Sequence, residues 1–362
     1  MADLTTTLCG SMLKTPLILS SGPLSGTAEG IARAFAAGAS AVVTKTIARQ
    51  AAINPVPHIV TLGRDTLLNA EKWSDLAPER WLREELPALR DREGVLIVSL
   101  GHTVEDVAAL AAPLVAAGAN LLEVVSYRAE DMAPMVAVAK RLTDAPVLAK
   151  ISPNWPDLMG VVDACIAAGA NGVTAMDSLG PALAIDVETG RPLLGSAGGS
   201  GWLSGAAMRP LTVSAVADIC QRYDVPVVAT GGVTRTEDVV EMIMVGAAAV
   251  GAHSAPLLRG LDWFRSTAER LDAWLNTRAY GRVGQVRGLA LEHLGRSEST
   301  VRVELTFDAD KCNQCGRCVT VCAYNARSLV GKEMSLRHDR CRQCCLCVRV
   351  CPNDALGLAV GR

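Results

Sequence analysis

Eight cysteines near the C-terminus have the residue type and the spacing to hold metal clusters. The first run is Cys312, Cys315, Cys318 and Cys322, and the second is Cys341, Cys344, Cys347 and Cys351. Each run has the spacing C-x2-C-x2-C-x3-C, and Pro352 follows the second run. Thiolates at this spacing bind three corners of a [4Fe–4S] cube from one tight loop. The pattern therefore indicates iron–sulfur chemistry and the movement of single electrons.

The same spacing assigns the ligands, because the fourth cysteine of each run binds the cluster of the other run. One cluster is then assigned to Cys312, Cys315, Cys318 and Cys351, and the other to Cys341, Cys344, Cys347 and Cys322. Structural zinc is the alternative, but zinc sites usually use two separated C-x2-C pairs. The remaining cysteines are scattered, so we expect no disulfide framework. Thiolate clusters need a reducing compartment, and we expect a cytoplasmic protein.

Length and composition favour one large domain and a small one. The chain has 362 residues, of which half are hydrophobic, and a formal net charge of −2. A near-neutral charge gives no attraction to nucleic acid or anionic lipid. The N-terminus lacks the pattern of a signal peptide, and no uncharged stretch resembles a membrane span. We expect a first domain over residues 1–298, a linker near 295–300, and a cysteine-rich domain over 299–362.

A short unit that recurs through the first 255 residues predicts the architecture of the large domain. Ala-Ala-Gly-Ala at 36–39, 116–119 and 167–170, and Val-Gly-Ala at 245–247, each precede an apolar run. Each glycine fits the left-handed position after a helix, and each apolar run fits a buried parallel strand. Further strands are expected at 17–20, 95–100, 147–151 and 225–230. About eight alternating strands and helices predict an α/β fold of the (β/α)8 barrel type, with a doubly wound sheet as the alternative.

Polar residues follow these strands at the end of the barrel where active sites form. Lys45 and Lys150 each follow an apolar strand, and buried lysines there are costly without an anionic or electron-rich partner. Glycines after the late strands, such as Gly231 and Gly232, fit a phosphate cradle. His102 is interpreted as a solvated loop histidine. There is no G-x-G-x-x-G after a strand, so the chain shows no nicotinamide-dinucleotide fingerprint.

Together these residues resemble the dihydroorotate and dihydropyrimidine dehydrogenase family. With the double-cluster module, the chain is most similar to the pyrimidine-reducing subunits of bacterial dihydropyrimidine dehydrogenases. The resemblance implies a barrel that binds flavin mononucleotide (FMN) and a ferredoxin-like domain with two [4Fe–4S] clusters. The residues it assigns to FMN are Ser21, Gly22, Lys45, Thr46, Asn69, Lys150, Met176, Gly201, Ser204, Gly205, Thr230, Gly231, Gly232, His253 and Ser254. The residues it places against the substrate are Asn69, Asp177 and Ser178.

The chain departs from this family where the family carries its proton donor. The family has Asn-x-Ser-Cys-Pro or Asn-x-Ser-x-Pro after the fourth strand, whereas residues 123–131 read EVVSYRAED. Ser126 and Tyr127 are the candidate replacements. The family's substrate-binding Asn-Thr pair is Asp177-Ser178 here, and Asp177 is a candidate catalytic or substrate contact. An ionised aspartate only accepts hydrogen bonds, which argues against uracil or thymine as the substrate.

The resemblance implies an oxidoreductase acting on CH–CH groups. Electrons pass from a donor through the two clusters to FMN and on to a C=C bond of a small molecule, or the reverse. The expected electron donor is a separate FAD/NAD(P) subunit or a ferredoxin. The expected assembly is a homodimer or a hetero-oligomer. The alternatives are a genuine dihydropyrimidine dehydrogenase subunit and a non-catalytic electron-relay subunit.

The ligand count sets the iron content. Protein purified without oxygen should contain about eight iron atoms and one FMN per chain, because two cubes carry four irons each. Elemental analysis and flavin extraction measure both quantities. Two zinc atoms with iron near zero would contradict the cluster assignment.

Overall fold

The structure, a computed structural model, describes residues 1–295 and 302–359. The chain divides into two compact units, Met1–Leu294 and Gly295–Arg362. The domain boundary expected at 298/299, and nearly all of the linker expected near 295–300, lie outside the described residues.

The first unit begins with a hairpin and then alternates strands and helices. Its strands are β1 (Thr6–Leu8), β2 (Ser11–Leu13), β3 (Leu17–Leu19), β4 (Ala41–Val43), β5 (Ile59–Thr61), β6 (Thr66–Asn69), β7 (Val95–Leu100), β8 (Leu121–Val124), β9 (Val147–Lys150), β10 (Gly172–Ala175), β11 (Leu179–Ala182), β12 (Ile185–Asp186), β13 (Arg191–Pro192), β14 (Gly201–Gly205), β15 (Val227–Thr230) and β16 (Ala249–Ala252). Its helices are α1 (Ala28–Ala36), α2 (Pro78–Arg80), α3 (Val104–Ala116), α4 (Ala129–Leu142), α5 (Leu158–Ala167), α6 (Arg209–Arg222), α7 (Thr236–Met244), α8 (Ser254–Arg259) and α9 (Trp263–Thr277).

Eight parallel strands close into a barrel, in the order β3-β4-β7-β8-β9-β10-β15-β16 and back to β3. This confirms the (β/α)8 prediction. Every residue of these strands is buried except Lys150, which is partly exposed. Strands buried on both faces read as continuous apolar runs, which is why the sequence shows them so clearly.

The recurring glycines end the helices as the sequence predicts. Gly38, Gly118, Gly169 and Gly246 have φ between 100° and 121° and stand between a helix and the next barrel strand. A residue with a Cβ rarely adopts this conformation, so glycine at these positions lets the chain turn directly into the strand.

Shorter strands lie beyond the ends of the barrel strands and carry several of the polar residues of interest. An antiparallel sheet has the order β11-β14-β6-β5, and β12 pairs with β13. In the register of β6 and β14, Asn69 stands opposite Trp202. The closing helices expected over 261–294 are represented by α9 and short helical turns. No helix among residues 1–295 and 302–359 is long and apolar enough to cross a membrane.

The second unit is built from two similar halves. Its elements are β17 (Glu304–Phe307), α10 (Arg317–Thr320), β18 (Arg327–Val330), β19 (Glu333–Leu336), α11 (Leu346–Arg349) and β20 (Leu356–Ala359). β17 pairs with β20 and β18 with β19, both antiparallel. Each short helix follows a cysteine loop, with a left-handed residue, Gly316 or Cys345, before it.

Tight packing at the start of β10 gives a test of the barrel. A Cβ on Gly172 would lie 2.6 Å from the Pro226 carbonyl oxygen and 2.9 Å from Leu148 Cδ2. Gly172→Ala should therefore lower the free energy of unfolding by about 1–3 kcal/mol, as overpacking does. Gly284→Ala is the matched control, because nothing lies within 4 Å of its Cβ position. Denaturant unfolding followed by tryptophan fluorescence compares the two, and equal midpoints would contradict the packing.

Candidate active site

A cavity of about 420 Å³ opens at the C-terminal ends of the barrel strands. Its volume lies in the range of about 300–1,000 Å³ that is usual for small-molecule sites. The structure places every residue that the sequence assigned to FMN, substrate or proton transfer in its lining, including Lys45, Asn69, Tyr127 and Asp177. Residues from distant parts of the chain are thus gathered at one place, although their individual roles remain predictions.

Two lysines at this cavity, each with a side chain only 11 % exposed, have a carboxylate partner. Lys45 Nζ lies 2.8 Å from Glu71 Oε1, and Lys150 Nζ lies 3.6 Å from Asp177 Oδ1. The lysines therefore do not depend on a bound anion alone, because the chain itself supplies one counter-charge to each. Burial lowers the pKa of Lys45, and Glu71 only partly offsets this. The pKa of Lys150 is raised, since attraction to Asp177 and Glu123 outweighs its burial.

Glu123 is a third carboxylate in this network, and it lies inside the barrel. Its side chain is buried and accepts a hydrogen bond of 2.8 Å from Thr174 Oγ1. Burial raises its pKa, while the charge of Lys150 acts in the opposite direction. The charges of Asp177 and Glu123 both act on Lys150, and its ammonium is held in the charged form.

Asn69 is tied to the glycine-rich strand β14. Its amide nitrogen donates to the Trp202 carbonyl oxygen (3.2 Å) and to Ser204 Oγ (3.3 Å). Its amide oxygen accepts from the Glu71 backbone N–H at 3.3 Å. The side chain therefore fixes the position of Glu71 as well as lining the cavity.

The late-strand glycines leave room at the opposite wall. Gly231 and Gly232 follow β15 with φ of 112° and 89°. A Cβ on Gly232 would lie 2.2 Å from the Arg209 backbone nitrogen, so only glycine lets this loop meet the start of α6 so closely. Backbone without side chains suits the close approach of a phosphate. This loop and the paired lysines give a cavity whose donors fit FMN.

His253 lines the cavity and also holds the first loop of its wall in place. Its Nδ1 lies 2.7 Å from the Ser20 carbonyl oxygen, and its Nε2 accepts from the Leu24 backbone N–H at 3.4 Å. A Cβ on Gly22 would lie 2.5 Å from the ring. Burial lowers the pKa of His253 to about 4, so the ring is neutral and holds the first loop in place.

The two candidate proton donors differ in their surroundings. Ser126 Oγ donates to the His102 carbonyl oxygen at 2.9 Å and accepts from the Arg128 backbone N–H at 3.2 Å. The hydroxyl proton of Ser126 is therefore already donated to a carbonyl oxygen within the protein. Tyr127 lines the cavity, and 55 % of the residue is exposed. Partial loss of water around its hydroxyl and the charge of Asp177 raise its pKa to about 12. Its hydroxyl keeps its proton at neutral pH.

The interpretation of His102 as a solvated loop residue is wrong. Both ring nitrogens are buried and have no hydrogen-bond partner among the described residues. The ring lines the cavity, and burial lowers its pKa to about 4. Its position two residues after β7 was the available signal, because Lys45 also lies two residues after a barrel strand and Lys150 ends one. Its neutral ring can offer one donor and one acceptor to a bound molecule.

His102 belongs to a row of four aromatic rings that sequence reasoning missed. Ring centroids are 5.3 Å apart for Trp73 and His102, 4.4 Å for His102 and Tyr127, and 6.2 Å for Tyr127 and Trp202. These separations are those of interacting aromatic pairs. All four rings line the cavity, and we call them the aromatic row. The row gives this wall flat, polarisable faces.

The cysteine-rich unit gathers one of its proposed ligand sets around a cavity of about 20 Å³. Cys312, Cys315, Cys318 and Cys351 all line it, which supports their assignment to one cluster. Backbone N–H groups point at cysteine sulfurs in both halves, from Ala326 to Cys322 and from Ala355 to Cys351. No three His, Cys, Asp or Glu side chains of the described residues are grouped to hold a single metal ion. A [4Fe–4S] cube instead takes four thiolate ligands around the whole cluster.

Comparison with known protein families agrees with both units. The family model described as Dihydroorotate dehydrogenase matches residues 3–275. Two models described as 4Fe-4S binding domain match residues 305–326 and 335–357.

Curated relatives point to the same family. The chain is 34% identical over 301 residues to a protein of Pyrococcus abyssi named Dihydroorotate dehydrogenase B (NAD(+)), catalytic subunit, which covers 79% of this chain and 98% of the relative. Proteins of the same name from Methanothermobacter thermautotrophicus and Pyrococcus furiosus are 31% and 33% identical. The matched regions cover 79% and 78% of this chain, and 98% and 97% of the relatives' own length.

These matches, together with the cavity and the cysteine loops, establish the general chemistry. The protein is an oxidoreductase acting on CH–CH groups, and its cofactors are FMN and two [4Fe–4S] clusters. The chain belongs to the dihydroorotate dehydrogenase family.

Proposed function

We propose that this protein transfers electrons between its two clusters, FMN and a C=C bond of a small planar molecule other than a simple pyrimidine. The observation that carries the proposal is the carboxylate of Asp177, which lines the cavity where a pyrimidine reader would need an amide. FMN, when bound, exchanges two electrons and a hydride with the substrate. The residues of this chain position the substrate, exclude water and hold the proton.

Asp177 is fixed in an orientation that suits a hydrogen-bond donor on the substrate. Its Oδ1 accepts from the Ser178 backbone N–H at 2.8 Å and lies 3.6 Å from Lys150 Nζ. An ionised carboxylate only accepts hydrogen bonds, so a uracil carbonyl placed against it would find no donor. Sites built for one hydrogen-bond pattern reject the mismatched pattern strongly.

The aromatic row supports a planar conjugated substrate. Stacked and edge-on contacts between flat rings add about 0.5–1.5 kcal/mol per pair beyond the burial of area. His102 adds a neutral donor and acceptor within this apolar wall, and neither ring nitrogen has a partner within the described chain. A flat heterocycle or conjugated carbonyl compound matches both features.

Tyr127 is the preferred proton donor for reduction of the double bond. Its pKa of about 12 keeps the hydroxyl protonated, and its ring is held by stacking on His102. Ser126 is the weaker candidate because its proton is already donated to a backbone carbonyl. A tyrosine fixed beside the reacting carbon can act as a general acid.

The clusters carry electrons to or from FMN, and a second protein must provide or remove these electrons. The relatives are named as the catalytic subunit of an NAD(+) enzyme, a name that implies a further subunit. We therefore propose a separate FAD/NAD(P) reductase subunit or a ferredoxin as the electron donor. The barrel is proposed to work in a homodimer or a hetero-oligomer.

A non-catalytic relay subunit is the second candidate, and the absence of the family's Asn, Cys and Pro in residues 123–131 favours it. The formed cavity with its paired lysines and aromatic row supports the enzyme instead, because electron relay requires none of these groups. Genuine dihydropyrimidine dehydrogenase activity is the third candidate.

A substrate screen with reduced methyl viologen separates these candidates. The wild-type protein should reduce planar conjugated substrates but not uracil, thymine or orotate. Asp177→Asn should reduce uracil at least tenfold faster than Asp177→Ala, because both variants remove the counter-charge of Lys150 but only the amide supplies the missing donor. Asp91→Asn, an exposed control, should change nothing. Robust wild-type reduction of uracil or orotate would overturn the proposal, and no reduction of any compound would favour the relay.

The lysines give a separate prediction about the flavin. Lys45→Met and Lys150→Met should each lower flavin content or slow flavin reduction, since each removes a buried cation at the cavity. Lys14→Met, on the exposed surface, is the control. The double variant Lys45→Met with Glu71→Gln removes both charges of the pair. It tests whether an unpaired Glu71 carboxylate, and not the loss of the lysine, causes a lower flavin content or slower flavin reduction. Flavin extraction and stopped-flow reduction measure the outcome; wild-type values in both single variants would remove the lysines from the site.

A further inference from the structure

Arg327 is buried beside the cysteines of the second unit. Only 7 % of the residue is exposed, and its Nε donates a hydrogen bond of 3.2 Å to Cys347 Sγ. One terminal nitrogen of the guanidinium is buried with no partner within the described residues. Arginine carries a full charge at every physiological pH, so a permanent cation lies against a cluster ligand.

The two similar halves of this unit differ at this position. Ala326-Arg327 follows Cys322 in the first half as Ala355-Leu356 follows Cys351 in the second. The equivalence is structural as well, because the Ala326 and Ala355 amides donate to those cysteine sulfurs at 3.3 and 3.2 Å. An arginine in one half therefore corresponds to a leucine in the other.

The surroundings of the two ligand sets differ accordingly. The cavity of Cys312, Cys315, Cys318 and Cys351 is lined by apolar side chains, which are Phe307, Leu329, Met334 and Leu356. Its charged lining residues, Lys311 and Arg317, are exposed. Solvent and salt screen an exposed charge, whereas a buried charge is screened much less.

We propose that Arg327 raises the reduction potential of the cluster held by Cys341, Cys344, Cys347 and Cys322 above that of the other cluster. Reduction adds one electron and hence one negative charge to a cluster. A buried cation and an N–H···S hydrogen bond stabilise that charge, and both are known controls of cluster potential. The two clusters then accept electrons in a fixed order, the one beside Arg327 first.

We expect a smaller effect on the other cluster, because Arg327 donates no hydrogen bond to a cysteine of that ligand set among the described residues. Only Cys347 receives the hydrogen bond. Removing the arginine should therefore narrow the gap between the two potentials instead of shifting both equally.

The test is a dithionite titration of the full-length holoprotein, followed by electron paramagnetic resonance, in which each cluster takes one electron. Arg327→Leu copies the residue found at position 356. It should lower the equilibrium constant for reduction of the cluster beside position 327 on the order of tenfold. For one electron, this corresponds to a fall of about 59 mV in the reduction potential of that cluster. Arg327→Lys keeps the charge but not the planar donor group, so the potential of this cluster should lie between those of the wild type and Arg327→Leu. Lys332→Leu removes the same charge from an exposed turn and should leave both potentials unchanged.

The reciprocal variant Leu356→Arg places the guanidinium in the other half and should narrow the gap by raising the lower potential. Iron content is measured first, and if Arg327→Leu loses iron, Arg327→Lys and Leu356→Arg decide the question. A gap that narrows in these variants supports the proposal. Potentials that stay at wild-type values, or that move together by equal amounts, would overturn it.

Discussion

Two ammonium groups buried at the open end of the barrel require counter-charges, and the site is organised around this requirement. Leaving a buried charge unpaired costs several kcal/mol, and removing one partner of such a pair typically costs about 3–5 kcal/mol. Glu71 and Asp177 therefore have to be held beside Lys45 and Lys150. The sheet that joins β6 to β14 holds the first carboxylate, and the turn after β10 holds the second.

The sequence predicts the barrel and the cysteine loops well because their signals are local. A left-handed glycine before each apolar run, or four cysteines within eleven residues, can be read without knowing the rest of the fold. The partner of Lys45 and the stacking of His102 on Tyr127 arise from contacts between residues distant in sequence. No local pattern shows these contacts, although the position of His102 just after a barrel strand did indicate that its ring lies at the cavity.

Charge placement also shapes both parts of this chain. At the cavity an acceptor, Asp177, lies beside the aromatic row. In the cysteine-rich unit a buried arginine lies in one half and a leucine in the other. In both places one or two side chains set the charge that a bound group meets. The oxidoreductase chemistry of the family is shared, and we propose that the substrate and the order of cluster reduction differ.

We propose that flavin binds in the cavity between the paired lysines and the late-strand glycines, and that the aromatic row is left for the substrate. A crystal structure of the anaerobically prepared holoprotein would locate the flavin. We expect the FMN phosphate at Gly231 and Gly232, the flavin ring beside Lys45 and Lys150, and open space against His102 and Tyr127. A flavin bound elsewhere, or a flavin ring that fills the space against the aromatic row, would contradict this proposal.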